Sequence, residues 1–157
     1  FLFCCLTGLA YVDVASLSTE NIVEGKRGRQ WLRKARNKTN NMCNIPLLRP
    51  ALRILEKYAE YRAATGRLLP VPSNQKMNAY LKELATLCGV AKNLTTHCAR
   101  HTFATTVTLA NGASSENVSK MLGHSSIRMT QHYAKILNSS IERDMDKIES
   151  ELIGEDE

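Results

Sequence analysis

Between residues 30 and 47 the chain changes its period, and that change limits what the rest can do. Gln30–Ala35 alternates apolar with basic side chains, the two-residue repeat of a strand with one buried face. Residues 37–41 read Asn-Lys-Thr-Asn-Asn, which is turn chemistry, and residues 42–47 resume as a further strand. Upstream, residues 20–23 are strand-like and Gly25-Lys26-Arg27-Gly28 is a turn. The segment therefore predicts a three-stranded antiparallel meander, whose apolar face the remaining chain must cover.

The remaining chain reads as helices. Residues 1–9 predict a buried helix, and residues 11–17 a second short helical piece after Gly8. Pro50 suits a helix start, and Leu52, Leu55, Ala59 and Arg62 carry helical spacing up to Gly66. Residues 67–72 hold two prolines and predict a loop, and Asn74–Leu87 predicts a helix ending at Gly89. Thr95 or Thr96 can cap a helix that runs to Asn111-Gly112. Ser114 or Ser115 caps a short helix ending at Gly123, and Ser125 or Ser126 caps the next. In the tail, residues 137–157, an apolar stripe of Leu137, Ile141, Met145, Ile148 and Leu152 recurs at helical spacing. The expected fold is α+β and mainly helical, one domain over residues 1–157 with a small three-stranded antiparallel sheet.

The start, Phe1, lies inside an apolar run, so the chain is expected to be a fragment of a longer protein. That run is about ten residues, half of the roughly 20 that span a bilayer. No lysine or arginine precedes it, as a signal peptide would require. Five cysteines without a C-x-x-C pair point to reduced thiols and a cytoplasmic protein. His97 and His101 are spaced as zinc ligands can be, but no glutamate lies between them and no third ligand is evident, so neither metal nor cofactor is expected.

Charge is divided unevenly. The whole chain carries +6, yet residues 141–157 hold eight acids and two bases, which leaves residues 1–140 at +12. Between Glu24 and Glu56 stand nine lysines and arginines and no acid. Such a stretch is either a solvated face or a surface for a polyanion. Arg27, Arg29, Arg33, Lys34 and Arg36 are the candidate phosphate contacts.

All four histidines fall between His97 and His132. His97 and Arg100 share a helix face, His124 follows Gly123 at a helix end, and Tyr133 comes nine residues later. These residues stand in runs that resemble the tyrosine site-specific recombinases. Thr-His-Cys-Ala-Arg-His-Thr-Phe-Ala-Thr (96–105) is similar to their H-x-x-R-H box. Residues 121–136 resemble their L-G-H box followed by the nucleophilic tyrosine, and Thr-Gly-Leu-Ala-Tyr-Val-Asp-Val (7–14) resembles their T-G-L-R box. Residues 37–48 resemble the hairpin that holds their catalytic lysine.

The resemblance implies DNA strand cleavage and rejoining through a 3′-phosphotyrosine, in DNA integration or recombination, without a cofactor. It assigns Tyr133 as nucleophile, Arg100 as phosphate clamp, His97 as base and His124 as partner of a non-bridging oxygen. Lys38 becomes the acid for the leaving 5′ oxygen, and Asp13 supports the site. The chemistry suits these side chains. A phenol of pKa about 10 needs a base, and the charge that develops on phosphorus needs fixed cations. An arginine fork matches two phosphate oxygens.

The resemblance also implies double-stranded DNA sites as partners and a tetramer on DNA. The tail stripe is most simply core packed in cis; the resemblance suggests the alternative, a helix docked on a neighbouring protomer. One position departs from the family. Ala10 stands where its first arginine belongs. Another cation can substitute, with Arg27, Arg29 or Arg33 as candidates; the site can work with one arginine; or the domain can bind DNA without cutting it. A reading of a different class is a helix-turn-helix formed by residues 95–111 and 114–122.

Overall fold

The computed structural model describes residues 1–134, 141, 142, 145, 146 and 148–150. Three short strands, β1 (Ile22–Glu24), β2 (Gln30–Ala35) and β3 (Met42–Pro46), form an antiparallel sheet in the order β1-β2-β3. Leu32 pairs with Ile22 on one side and Ile45 on the other, and Leu32 and Ile45 are fully buried. The alternation read from sequence thus sets the register: Leu32, Cys43 and Ile45 face the core while Arg33 and Met42 face solvent. The inward face continues past the strand end, from Leu32 through Lys34 to Arg36, whose backbone bonds Asn40 and Asn41 at the base of the hairpin.

Helices cover the sheet. Before it come α1 (Leu2–Thr7) and α2 (Tyr11–Ala15); after it, α3 (Arg49–Lys57), α4 (Ala59–Thr65), α5 (Asn74–Leu87), α6 (Thr96–Thr102), α7 (Ser115–Leu122) and α8 (Arg128–Ala134). Several predicted caps are in place. Thr95 accepts from Cys98 N–H, Ser114 from Asn117 N–H, and Ser126 Oγ from Arg128 N–H at 3.3 Å. α1 packs on α6, α7 packs on β3 and α8, and Phe103, Leu9, Leu32 and Leu122 fill the shared core.

Two predicted helices are interrupted. The helix expected from Pro50 to Gly66 breaks at Tyr58 (φ −107°, ψ 25°). There the Arg62 guanidinium donates to the Leu55 carbonyl at 2.7 Å, an acceptor that a continuous helix would give to residue 59. The helix expected over 95–111 is regular only to Thr102. A π-helical stretch over Phe103–Thr108 and a 3₁₀ turn over Leu109–Asn111 follow. Thr108 Oγ1 donates to the carbonyls of Phe103 and Ala104 at 2.9 and 2.8 Å, and Thr105 Oγ1 to that of His101 at 2.8 Å. Hydroxyls that bond back along a helix loosen its ladder in this way.

The tail helix expected over 137–157 falls largely outside the described residues, Leu137 and Leu152 among them. Its described members Ile141, Met145 and Ile148 are exposed and helical. All five cysteines are free thiols. Among the described residues no helix is long and apolar enough to cross a membrane.

Gly8 separates α1 from α2 at φ +69°, and a Cβ built there would sit 2.4 Å from a Phe103 ring carbon and 2.6 Å from a Leu122 methyl. Gly66 has the same φ but open space around it. Gly66→Ala is expected to cost about 1–2 kcal/mol of left-handed strain. Gly8→Ala should cost a further ~1–3 kcal/mol for overpacking. Urea unfolding of both variants tests this, and equal losses would contradict the close approach at Gly8.

Candidate active site

Arg100 is the centre of a buried polar cluster. It sits on the inner face of α6, 4% exposed, and its two terminal nitrogens donate to Gly8 O at 2.6 Å and Leu122 O at 2.7 Å. Those carbonyls belong to the glycine that ends α1 and to the last residue of α7, so the guanidinium is held by two helix ends at once. Burial, then the neighbouring Arg36, lower its pKa from the ordinary arginine value.

Arg36 reaches the same place from the sheet. Its side chain is 11% exposed and its Nε lies 4.0 Å from Asp13 Oδ2. Its Nη1 donates to Gly123 O over a long 3.5 Å, and among the described residues its buried Nε has no hydrogen-bond partner. Gly123 (φ +60°) is required here, because a Cβ would come within 2.9 Å of Cys43 Sγ and 3.0 Å of Arg36 Cδ. Asp13 is 1% exposed, and its Oδ1 accepts the Asn37 N–H at 2.8 Å. The carboxylate therefore ties α2 to the β2–β3 hairpin, one residue before Lys38.

His124 follows Gly123, with Nδ1 2.8 Å from Thr130 Oγ1. Burial, then Arg100 and Arg36, push its pKa down to about 4, so the imidazole is neutral near pH 7. Tyr133, on α8, is 8% exposed. Its ring lies parallel to His124, centroids 6.2 Å apart, and edge-on to His101 at 4.8 Å. Tyr133 is among the neighbours that raise the Arg100 pKa against the effect of burial.

Of the residues singled out from sequence, Tyr133, Arg100, His124 and Asp13 come together. His97 is exposed and touches His101, Nε2 to Nε2 at 3.0 Å; His101 stands between it and Tyr133. Burial, then His97, His132 and Arg100, lower the His101 pKa. The sequence offers His101 only as a zinc-spaced neighbour of His97, whose spacing of four puts both on one helix face.

Lys38 is on the exposed hairpin turn, and among the described residues it has no hydrogen bond or ion pair. Arg27, Arg29 and Arg33 are exposed. Arg27 and Arg29 lie before β2 and Arg33 points off its outer face, so none joins the Arg100 cluster as a substitute for position 10. Lys34 and Arg36, read from sequence as phosphate contacts, share a strand face with Leu32; Arg36 is nearly buried there while Lys34 stays half-exposed. Lys34 Nζ lies 3.5 Å from Ser16 O, and Arg36 belongs to the site. The strand's two-residue period separates the two sets. No group of three or more metal-ligating side chains is present among the described residues.

Comparison with known proteins agrees in both sequence and fold. A family model described as the phage integrase family matches residues 1–139. A tyrosine recombinase XerD from Corynebacterium glutamicum is 32% identical over 136 residues, which cover 85% of this chain and 43% of that protein. A XerD from Rhizobium meliloti is 32% identical over 146 residues, covering 86% and 45%. The chain thus spans less than half the length of these relatives. Among solved structures, a XerA recombinase superposes with a TM-score of 0.70 at 22% identity, over 94% of this chain and 56% of that one. A XerH recombinase bound to a palindromic difH substrate, in a post-cleavage complex, superposes at 0.71 and 16% identity, over 95% and 45%.

The neutral His124 has a consequence for stability. Its folded pKa of about 4 lies below the ordinary 6.5, so between those values the unfolded chain binds more protons. The contribution is complete above pH ~6.5 and is lost as pH falls toward ~4; His101 acts with the same sign. Urea midpoints are expected to fall over that window, and less steeply in His124→Asn. Equal slopes in the two proteins would contradict a buried neutral His124.

Proposed function

The chain belongs to the phage integrase family, and on that premise we propose that it is the catalytic domain of a tyrosine site-specific recombinase acting on double-stranded DNA in the cytoplasm. The observation that carries the reading is Arg100, buried and fixed by two helix ends beside both Tyr133 and His124. A guanidinium so placed is a preorganised anion site, and Tyr133 brings a phenol nucleophile close enough to act on it electrostatically. A helix-turn-helix module has no use for either.

The reaction is a transesterification. Tyr133 Oη attacks a backbone phosphorus as its proton passes to the His97–His101 pair. Arg100 holds non-bridging oxygens with the donor capacity left on its fork, and His124 donates from Nε2, the ring nitrogen not engaged with Thr130. The bond from phosphorus to the 5′ oxygen breaks, and Lys38 delivers a proton to that oxygen once the hairpin closes on DNA. The product is a 3′-phosphotyrosine and a free 5′-hydroxyl. A partner strand's 5′-hydroxyl reverses the step, so no external energy source is needed.

Asp13 acts by orienting the hairpin rather than by touching DNA. Arg27, Arg29 and Arg33, exposed on and before β2, contact flanking phosphates. Exposed Ile141, Met145 and Ile148 fit a tail that docks on a neighbouring protomer of a DNA-bound tetramer.

Tyr133→Phe should abolish covalent attachment to a nicked suicide duplex while DNA affinity stays within a few-fold. An adduct that persists in this variant would sink the assignment of the nucleophile, and no adduct from the unaltered chain would favour a domain that binds DNA without cutting it. Duplex binding should also weaken steeply with salt, at a log–log slope of about −0.9 per phosphate contact. The triple change Arg27→Ala, Arg29→Ala, Arg33→Ala should flatten that slope by two to three contacts; an unchanged slope would remove these arginines from the interface.

A further inference from the structure

We propose that Arg36 is a second phosphate-contacting catalytic residue, which supplies from the base of the β2–β3 hairpin the cation that position 10 lacks. The inference rests on the cleavage reading above.

The geometry sets Arg36 beside the gap. Ala10 lies on the short segment between Gly8 and Asp13, at the start of α2. Arg100 is bonded to the carbonyl of Gly8, and Arg36 lies against the carboxylate of Asp13. Arg36 and Arg100 therefore flank the segment on which the family's first arginine would stand. The side chain is steered there by strand alternation from Leu32 and Lys34, and its stem is pressed onto Gly123, where even a Cβ could not be accommodated without a shift.

Its bonding is that of a group awaiting a ligand. Arg100, placed by two bonds of 2.6 and 2.7 Å, is structurally satisfied at both terminal nitrogens. Among the described residues Arg36 has one long hydrogen bond, 3.5 Å from Nη1, a 4.0 Å ion pair to Asp13, and a buried Nε with no hydrogen bond. A buried charged donor held this loosely is costly, so a purely structural arginine would be expected to find closer acceptors.

Charge points the same way. Two arginines face one carboxylate, Asp13, while His124 is neutral. Among the described residues one positive charge in this mostly buried cluster is left without a carboxylate of its own. A phosphodiester carries one negative charge and two non-bridging oxygens, enough for both forks. A lysine at 36 would keep the charge but lose the fork. None of Arg27, Arg29 and Arg33 shares this position.

The test is the rate of covalent trapping on nicked suicide duplexes built from the junctions of the element that carries the gene. The unaltered chain should form an adduct. Arg36→Ala should slow trapping by about 100-fold or more, the usual effect of losing one transition-state donor, with duplex affinity within a few-fold of the parent. Adding Ala10→Arg to Arg36→Ala should restore at least tenfold, because a fork returns to the same phosphate from the other side of Asp13; a merely structural role for Arg36 would not be rescued from position 10. Trapping by Arg36→Ala within threefold of the parent overturns the proposal while leaving the cleavage reading intact, and so does a folded double variant that is no faster than Arg36→Ala. If Arg36→Ala does not fold, Arg36→Lys decides: a tenfold or greater loss is expected, and a parental rate overturns the proposal. Absence of any adduct from the unaltered chain overturns the cleavage reading and the proposal with it.

Discussion

Two hydrogen bonds from one side chain join the halves of this domain. Arg100 reaches back to the glycine that ends α1 and forward to the last residue of α7, so the N-terminal helices, the α6 segment and the L-G-H turn share one buried cation. Replacing either acceptor with solvent would leave a charged group stranded in the core. The same arrangement makes the site. A guanidinium already satisfied by carbonyls cannot swing away, and it presents its remaining donors to a ligand without reorganisation. Gly8 and Gly123 are the positions that allow it: each takes a left-handed φ, and each is pressed by neighbouring side chains that leave no room for a Cβ.

The hairpin brings the second half of the charge. Asp13 bonds the Asn37 N–H, so the loop that carries Lys38 is anchored at its base, while Lys38 itself stands in solvent. This division fits a residue that is needed only with DNA in place. The π-helical stretch behind Arg100 lies next to the core rather than the surface, with Phe103 and Thr108 buried in it. Its distortion follows from threonine hydroxyls that bond the ladder they belong to.

Much of the fold was legible because it follows from period and punctuation. The alternation in Gln30–Ala35 fixed which face of β2 is buried, and the stop at Gly66, the caps at Thr95 and Ser114, and the helix Asn74–Leu87 all stand where local chemistry puts them. The breaks at Tyr58 and after Thr102 were not legible, since each depends on a side chain finding a carbonyl several residues away. Of the site, the motif residues Tyr133, Arg100, His124 and Asp13 could be named from sequence, but the burial of the residues beside them could not. Arg36 was grouped with the basic surface because it stands in a basic run, although the same alternation that buries Leu32 also turns residue 36 inward. From sequence His101 is weighed only as a zinc-spaced partner of His97, and its contact with Tyr133 shows only in the fold. The missing arginine at position 10 was sought among exposed cations, at the far end of β2 or on its outer face.

Cleavage as proposed turns on a covalent bond at one atom, Tyr133 Oη. Tryptic digestion releases residues 129–135, Met-Thr-Gln-His-Tyr-Ala-Lys, a peptide with a single tyrosine. After trapping on a suicide duplex and nuclease trimming, mass spectrometry should find this peptide carrying a nucleotide through a phosphate linked to Tyr133. A nucleotide on any other residue, or an adduct with this peptide unmodified, would contradict the assignment of Tyr133 and the phosphate site built around it.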